Sequence, residues 1–122
     1  MHELAIMQSV VRVCEREAAQ RGFRRVESIA LAVGALSGFE PECMFEFFPA
    51  AAAGSVAEGA KLVTRVIPAA IECPDCGYSG QARGAECPGC GGRSFRLTQG
   101  REFYIDSIEV EKNRRCQLGG KA

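Results

Sequence analysis

Histidine occurs once among the 122 residues, at position 2, and the 15 basic side chains are matched by 15 acidic ones. Each scarcity excludes a class of function. A single imidazole leaves little for histidine-dependent nucleophilic or acid–base chemistry, and no glycine-rich phosphate loop is present. The chain reads as a non-enzyme. Zero net charge provides no global field to attract nucleic acid or an anionic membrane, so partners must be met by local patches. The longest apolar stretch, around Phe47 to Ala53, falls far short of the roughly 20 residues of a membrane span and contains Pro49. Glu3 stands where an export signal would carry basic residues. A cytoplasmic protein that engages neither membrane nor nucleic acid is expected.

Cysteine, by contrast, is plentiful at seven residues. Without an export signal, closely spaced pairs more often hold metal than form disulfides. Cys73-Pro74-Asp75-Cys76-Gly77 and Cys87-Pro88-Gly89-Cys90-Gly91 repeat one pentapeptide pattern, with ten residues between Cys76 and Cys87. Proline presets one backbone angle, the glycine after the second cysteine permits positive φ, and two such knuckles facing each other make a tetrahedral thiolate site. Zinc is the expected ion, closed in by four sulfurs and therefore structural. Rubredoxin-like iron is the alternative; two redox dithiols or two disulfides would not require the duplicated proline and glycine. Cys14 belongs to an apolar helical stripe, Cys43 to the first turn of a second helix, and Cys116 to the C-terminal tail.

The start of the chain carries a second metal signal. In Met1-His2-Glu3 the terminal amine, backbone amide nitrogens and one imidazole can close around a single ion.

Between these signals the apolar pattern changes period. Leu4, Met7, Val10, Val11, Cys14 and Ala18 recur at three and four residues, predicting an amphipathic helix closed by Gly22. Val26 to Val33 alternates as a strand, with Ile29, Leu31 and Val33 on one face and Ala30 and Ala32 on the other. Pro41 opens a second helix with Met44, Phe45, Phe48 and Ala52 as its buried stripe, and Pro49 predicts a kink or break near residues 46 to 49. Lys61 to Ile67 reads as a strand. Ser94 to Gln99 and Phe103 to Glu111 read as a hairpin about Gly100-Arg101, and 114–122 as a flexible tail. The fold class is α+β, a small sheet covered by two helices with an inserted four-cysteine zinc-ribbon module. Residues 1–71 and 94–113 form the discontinuous main domain, and 72–93 the zinc-binding domain.

Met1-His2-Glu3-Leu4, Val33-Gly34-Ala35-Leu36-Ser37-Gly38 with Glu40-Pro41-Glu42, Gly54-Ser55-Val56-Ala57-Glu58-Gly59-Ala60, the two knuckles and Ile108-Glu109-Val110 together resemble the hydrogenase nickel-incorporation proteins, the HypA/HybF family. The resemblance runs from residue 1 to about 111. It implies a nickel metallochaperone for [NiFe] hydrogenase maturation. Ni2+ would be cargo at Met1, His2 and Glu3, with Glu40 as a nearby acidic candidate. Structural Zn2+ would sit at Cys73, Cys76, Cys87 and Cys90. The implied partners are a HypB-family nickel GTPase and the [NiFe] hydrogenase large subunit, with room for a weak homodimer. The short spacer between knuckles and Pro49 depart from the family pattern. From physics alone the competing function is a zinc-ribbon module for nucleic acid or protein. Glu72, Asp75 and Glu86 against Arg83, Arg93 and Arg96 give that ribbon no basic face.

Overall fold

The computed structural model describes residues 3–111 in full and residues 114–121 as backbone. Helix α1 (Glu3–Arg21) buries Met7, Val10, Val11, Cys14 and Ala18. It ends where Gly22, at φ 78°, donates its N–H to the Ala18 carbonyl (2.9 Å). Strand β1 (Val26–Gly34), helix α2 (Pro41–Ala52) and strand β2 (Lys61–Ile67) form a βαβ unit, β2 running parallel to β1. Strands β3 (Ala70–Glu72), β4 (Ser79–Gln81) and β5 (Arg96–Gln99) make a separate small sheet in the order β4-β3-β5. Strands β6 (Phe103–Val110) and β7 (Arg114–Lys121) complete the main sheet, ordered β2-β1-β6-β7.

Both helices lie on one face of the main sheet. Ile29, Leu31 and Val33 of β1 and Ile105, Ile108 and Val110 of β6 meet Met7, Val10, Cys14, Met44, Phe48 and Ala52 in a single core. Alternation along β1 turns Ala30 and Ala32 to the opposite face, so the predicted layers are those observed. The loop after α2 ties these layers together. Ala57 is buried in the core, the Val56 carbonyl accepts from Val26 N–H (2.8 Å), and Val56 N–H donates to the Glu15 carboxylate of α1 (2.8 Å).

Several expectations are corrected. Helix α2 continues through Pro49 to Ala52 without a break. Proline there removes only the donor to the Phe45 carbonyl, three residues before the helix ends, and its ring faces solvent. Phe45, assigned above to a buried stripe, is exposed, as is Leu4 of the apolar pattern in α1. The predicted hairpin does not form. Strand β5 pairs with β3, which the insertion itself supplies, while β6 takes its place beside β1. A Glu72–Arg96 ion pair joins β3 and β5 at matched positions. Residues 114–121, read as a flexible tail, pair antiparallel with the otherwise open edge of β6, satisfying its backbone groups. The strands of the small sheet run from Ala70 to Gln99, on either side of the cysteine segment.

Candidate metal centres

The two knuckles are built identically. Gly77 N–H donates to the Cys73 carbonyl and Gly91 N–H to the Cys87 carbonyl (2.9 and 2.8 Å). Cys73 N–H reaches the Tyr78 carbonyl, and Cys87 N–H the Gly92 carbonyl, at 2.9 and 2.8 Å. Gly77 and Gly91 hold φ of 78° and 75°, a left-handed conformation that side chains resist. The repeat seen in the sequence is therefore a repeat in space. It carries Cys73 and Cys87 inward and leaves Cys76 and Cys90 exposed.

All four sulfurs lie within 4.8 Å of one another, with Cys73 to Cys90 at 3.8 Å and Cys76 to Cys87 at 3.5 Å. A tetrahedron with zinc–sulfur bonds of about 2.3 Å has edges of about 3.8 Å, so the thiol set fits a tetrahedral ion. Gly89 donates its N–H toward the Cys87 sulfur (3.3 Å), and a Cβ there would lie 2.9 Å from the Cys76 sulfur. Glycine inside the second knuckle is thus a requirement of the site, and only the assembled geometry reveals it. Lost hydration raises the Cys87 thiol, but amide donors from Cys90 and Gly89 outweigh it and hold the group at about 7. The Tyr78 amide favours the Cys76 thiolate, yet lost hydration and the neighbouring thiols push that group up to about 12. Four thiols this close cannot all ionise until a cation replaces their protons.

Of the amino-terminal candidates, Met1 and His2 lie outside the described residues. Glu3 is buried, and its Oε2 accepts from the Glu40 N–H (3.4 Å). The two acidic candidates, 37 residues apart in sequence, are therefore neighbours at the beginnings of α1 and α2. The loop carrying Glu40 is fixed by Phe39, whose ring meets Phe103 edge-on at 5.1 Å, and by the Ser37 hydroxyl accepting from Phe39 N–H (3.2 Å).

The Gly34-to-Gly38 phrase, which the sequence did not explain, lies where the small sheet joins the main one. Gly34 N–H donates to Glu102, Ala35 N–H to Ile67 and Leu36 N–H to Gly100, all at carbonyls, at 2.7, 2.8 and 2.6 Å. A Cβ on Gly34 would overlap the Gly100 carbonyl, and one on Gly100 would lie 2.9 Å from Ala69 Cα. The Glu102 carboxylate accepts from Gly100 N–H (2.8 Å), which holds its pKa below the usual range. Gln99 completes the junction by donating to the Pro68 carbonyl (2.8 Å).

A protein-family model described as "Hydrogenase/urease nickel incorporation, metallochaperone, hypA" matches residues 1–110. The chain belongs to the HypA family. Hydrogenase maturation factors HypA from Rhodopseudomonas palustris (strain TIE-1) and Geobacter metallireducens are 39% and 40% identical to it over 113 residues, covering 91% of this chain and all of each relative. The solution structure of the nickel metallochaperone HypA from Helicobacter pylori shares the fold, with a TM-score of 0.66 and 24% identity over 90% of this chain and 97% of that one. The HypA family resemblance drawn from the sequence motifs is thus correct, as is the α+β class with a four-cysteine metal site. Among the described residues no helix is long and apolar enough to cross a membrane.

Proposed function

We propose that this HypA-family chain is a nickel metallochaperone that holds Ni(II) at its amino terminus for [NiFe] hydrogenase maturation. The supporting observation is that the family match begins at residue 1, so Met1-His2-Glu3 falls inside it. The Met1 amine, backbone amide nitrogens and the His2 imidazole supply the nitrogen set that Ni(II) favours. Glu3 adds a carboxylate beside the Glu40 backbone, at a point fixed by both helices. Transfer is ligand substitution: the receiving site replaces these donors one at a time, and no covalent chemistry is required. A HypB-family nickel GTPase and the hydrogenase large subunit are the proposed donor or recipient, in the cytoplasm.

The closed thiolate site is assigned to Zn2+, held by Cys73, Cys76, Cys87 and Cys90, where the ion supplies folding stability to the small sheet. Its junction with the main domain at Gly34, Gly100 and Ala69 leads through residues 35–40 to the Glu3–Glu40 contact. Orientation of the ribbon would then report on nickel occupancy. Equal amide-exchange protection in the ribbon with and without nickel would remove that link.

The amino-terminal assignment is tested by calorimetric titration of nickel into the untagged chain, His2→Ala and an N-terminally extended form. Imidazole and α-amine, with ordinary pKa values near ~6.5 and ~7.7, must both be deprotonated to bind. Affinity should rise from mildly acidic to mildly alkaline pH and vanish in both variants. Full affinity in either variant would refute the assignment, whereas the zinc content should be the same in all three.

A further inference from the structure

From Val26 to Ala60 the chain has five carboxylates and no lysine, arginine or histidine. Three of them, Glu40, Glu42 and Glu46, are exposed at the start and along α2. Glu42 and Glu46 have no hydrogen-bond or ion-pair partner among the described residues. Glu42, in the first turn, is favoured by the helix dipole. Glu46 is too far along for that, and the residue four further on is Ala50, so no i,i+4 cation supports it.

Spacing of about 100° per residue sets Phe45 and Phe47 on opposite shoulders of the buried Met44–Phe48–Ala52 stripe, with Glu42 and Glu46 as a ridge between them on the far side. Phe45 is 45% exposed and Phe47 39%, although both are large and apolar. Leu36, 53% exposed, lies in the turn leading to the same helix. Fold stability accounts for neither the apolar shoulders nor the unneutralised ridge, and exposed apolar groups flanking a strip of charge of one sign are features of a binding surface.

We propose that the outer face of α2 docks a protein partner whose groove has a floor of lysine and arginine between apolar walls. The sign of the ridge selects this occupant: anionic lipid and nucleic acid are repelled, while a basic floor is steered in and oriented. The proposal stands independently of the nickel assignment, since it rests on Glu42, Glu46, Phe45 and Phe47, none of which is a candidate nickel ligand.

The test is titration of the full chain with an 18-residue amphipathic Lys/Leu helical peptide and with its Glu/Leu counterpart, followed by amide NMR. The Lys/Leu peptide should perturb residues 42–50 and lose affinity as salt rises toward 1 M, where the screening length falls to about 3 Å. Glu42→Lys/Glu46→Lys should weaken it about tenfold, the size of loss expected when a guiding charge pair is reversed, and Phe45→Ser should weaken it separately. Equal binding to the charge-reversed chain, equal binding of the Glu/Leu peptide, or perturbations confined to another face would overturn the proposal. Should charge reversal unfold the chain, Glu42→Gln/Glu46→Gln makes the same comparison.

Discussion

Arg65 and Asp106 are joined by two hydrogen bonds, of 2.8 and 3.2 Å, although strand β1 lies between their strands. In register, Ala32 of β1 stands between Arg65 of β2 and Tyr104 of β6, and Arg65 also donates to the Tyr104 hydroxyl (2.9 Å). The guanidinium spans a central strand because the residue beneath it is no larger than alanine. Ala32 is wholly buried in consequence.

Enlarging that residue should separate the clamp from its floor. Ala32→Leu is expected to lower stability by about 1–3 kcal/mol, the usual cost of overpacking. Asp106→Asn, which removes an exposed ion pair and keeps the packing, should have a smaller effect. Urea unfolding of both variants measures the contrast; equal losses would show that the ion pair, and not the small floor, holds the three strands.

At the junction of the two sheets, Gly34→Ala should destabilise by about 1–3 kcal/mol, because the new methyl group must displace the Gly100 backbone. Gly38→Ala meets no atom within 4 Å and carries only the cost of its φ of 87°, roughly 1 kcal/mol. Amide exchange separates the two. Gly34→Ala should deprotect Leu36 and Gly34, whose N–H groups bond across the junction, whereas Gly38→Ala should leave them protected.

Chelation should unfold the small sheet alone. Its buried apolar residues are Ile71, Cys73 and Cys87, with Tyr78, Ala82, Phe95 and Leu97 partly covered, too little to fold without a metal. Protection of β3 and β5 amides is expected to vanish on metal removal or in Cys87→Ser while β1 and β6 stay protected. Retained protection in metal-free protein would show that side-chain packing suffices.

Burial among apolar side chains, assisted by Glu15 and Glu17, pushes the Cys14 thiol from 9.0 up to about 12. The unfolded chain therefore releases this proton at lower pH than the folded one. The contribution is fully present below about pH 9 and is lost as pH rises toward 12. Over this interval the stability of the wild-type chain should fall more steeply than that of Cys14→Ala. Parallel pH profiles for the two would contradict the buried, neutral thiol.

Legibility in the sequence followed the range of the interactions. α1, β1, β2 and the four metal-binding cysteines are dictated by periodicity, or by ligand chemistry at short spacing, and could be read directly. The β5–β6 hairpin was misread because two strands flanking a glycine look alike whether they pair with each other or with distant partners, here β3 and β1. The pairing of residues 114–121 with β6 depends on an open edge that the local sequence does not reveal. Glu3 beside Glu40 and Gly34 against Gly100 are likewise long-range, and they bear most directly on how the four-cysteine lobe is joined to the main domain and to the start of the chain.

That junction is a neck made almost wholly of main chain. Its hydrogen bonds run between backbone groups at Gly34, Ala35, Leu36, Ile67, Gly100 and Glu102, with side chains contributing only at Gln99 and Glu102, and its closest approaches leave no space for a Cβ at Gly34 or Gly100. The lobe beyond it is thus held chiefly through its two connecting strands and the main-chain bonds at their feet. The ten-residue spacer between knuckles lies beyond that neck and takes no part in its hydrogen bonds.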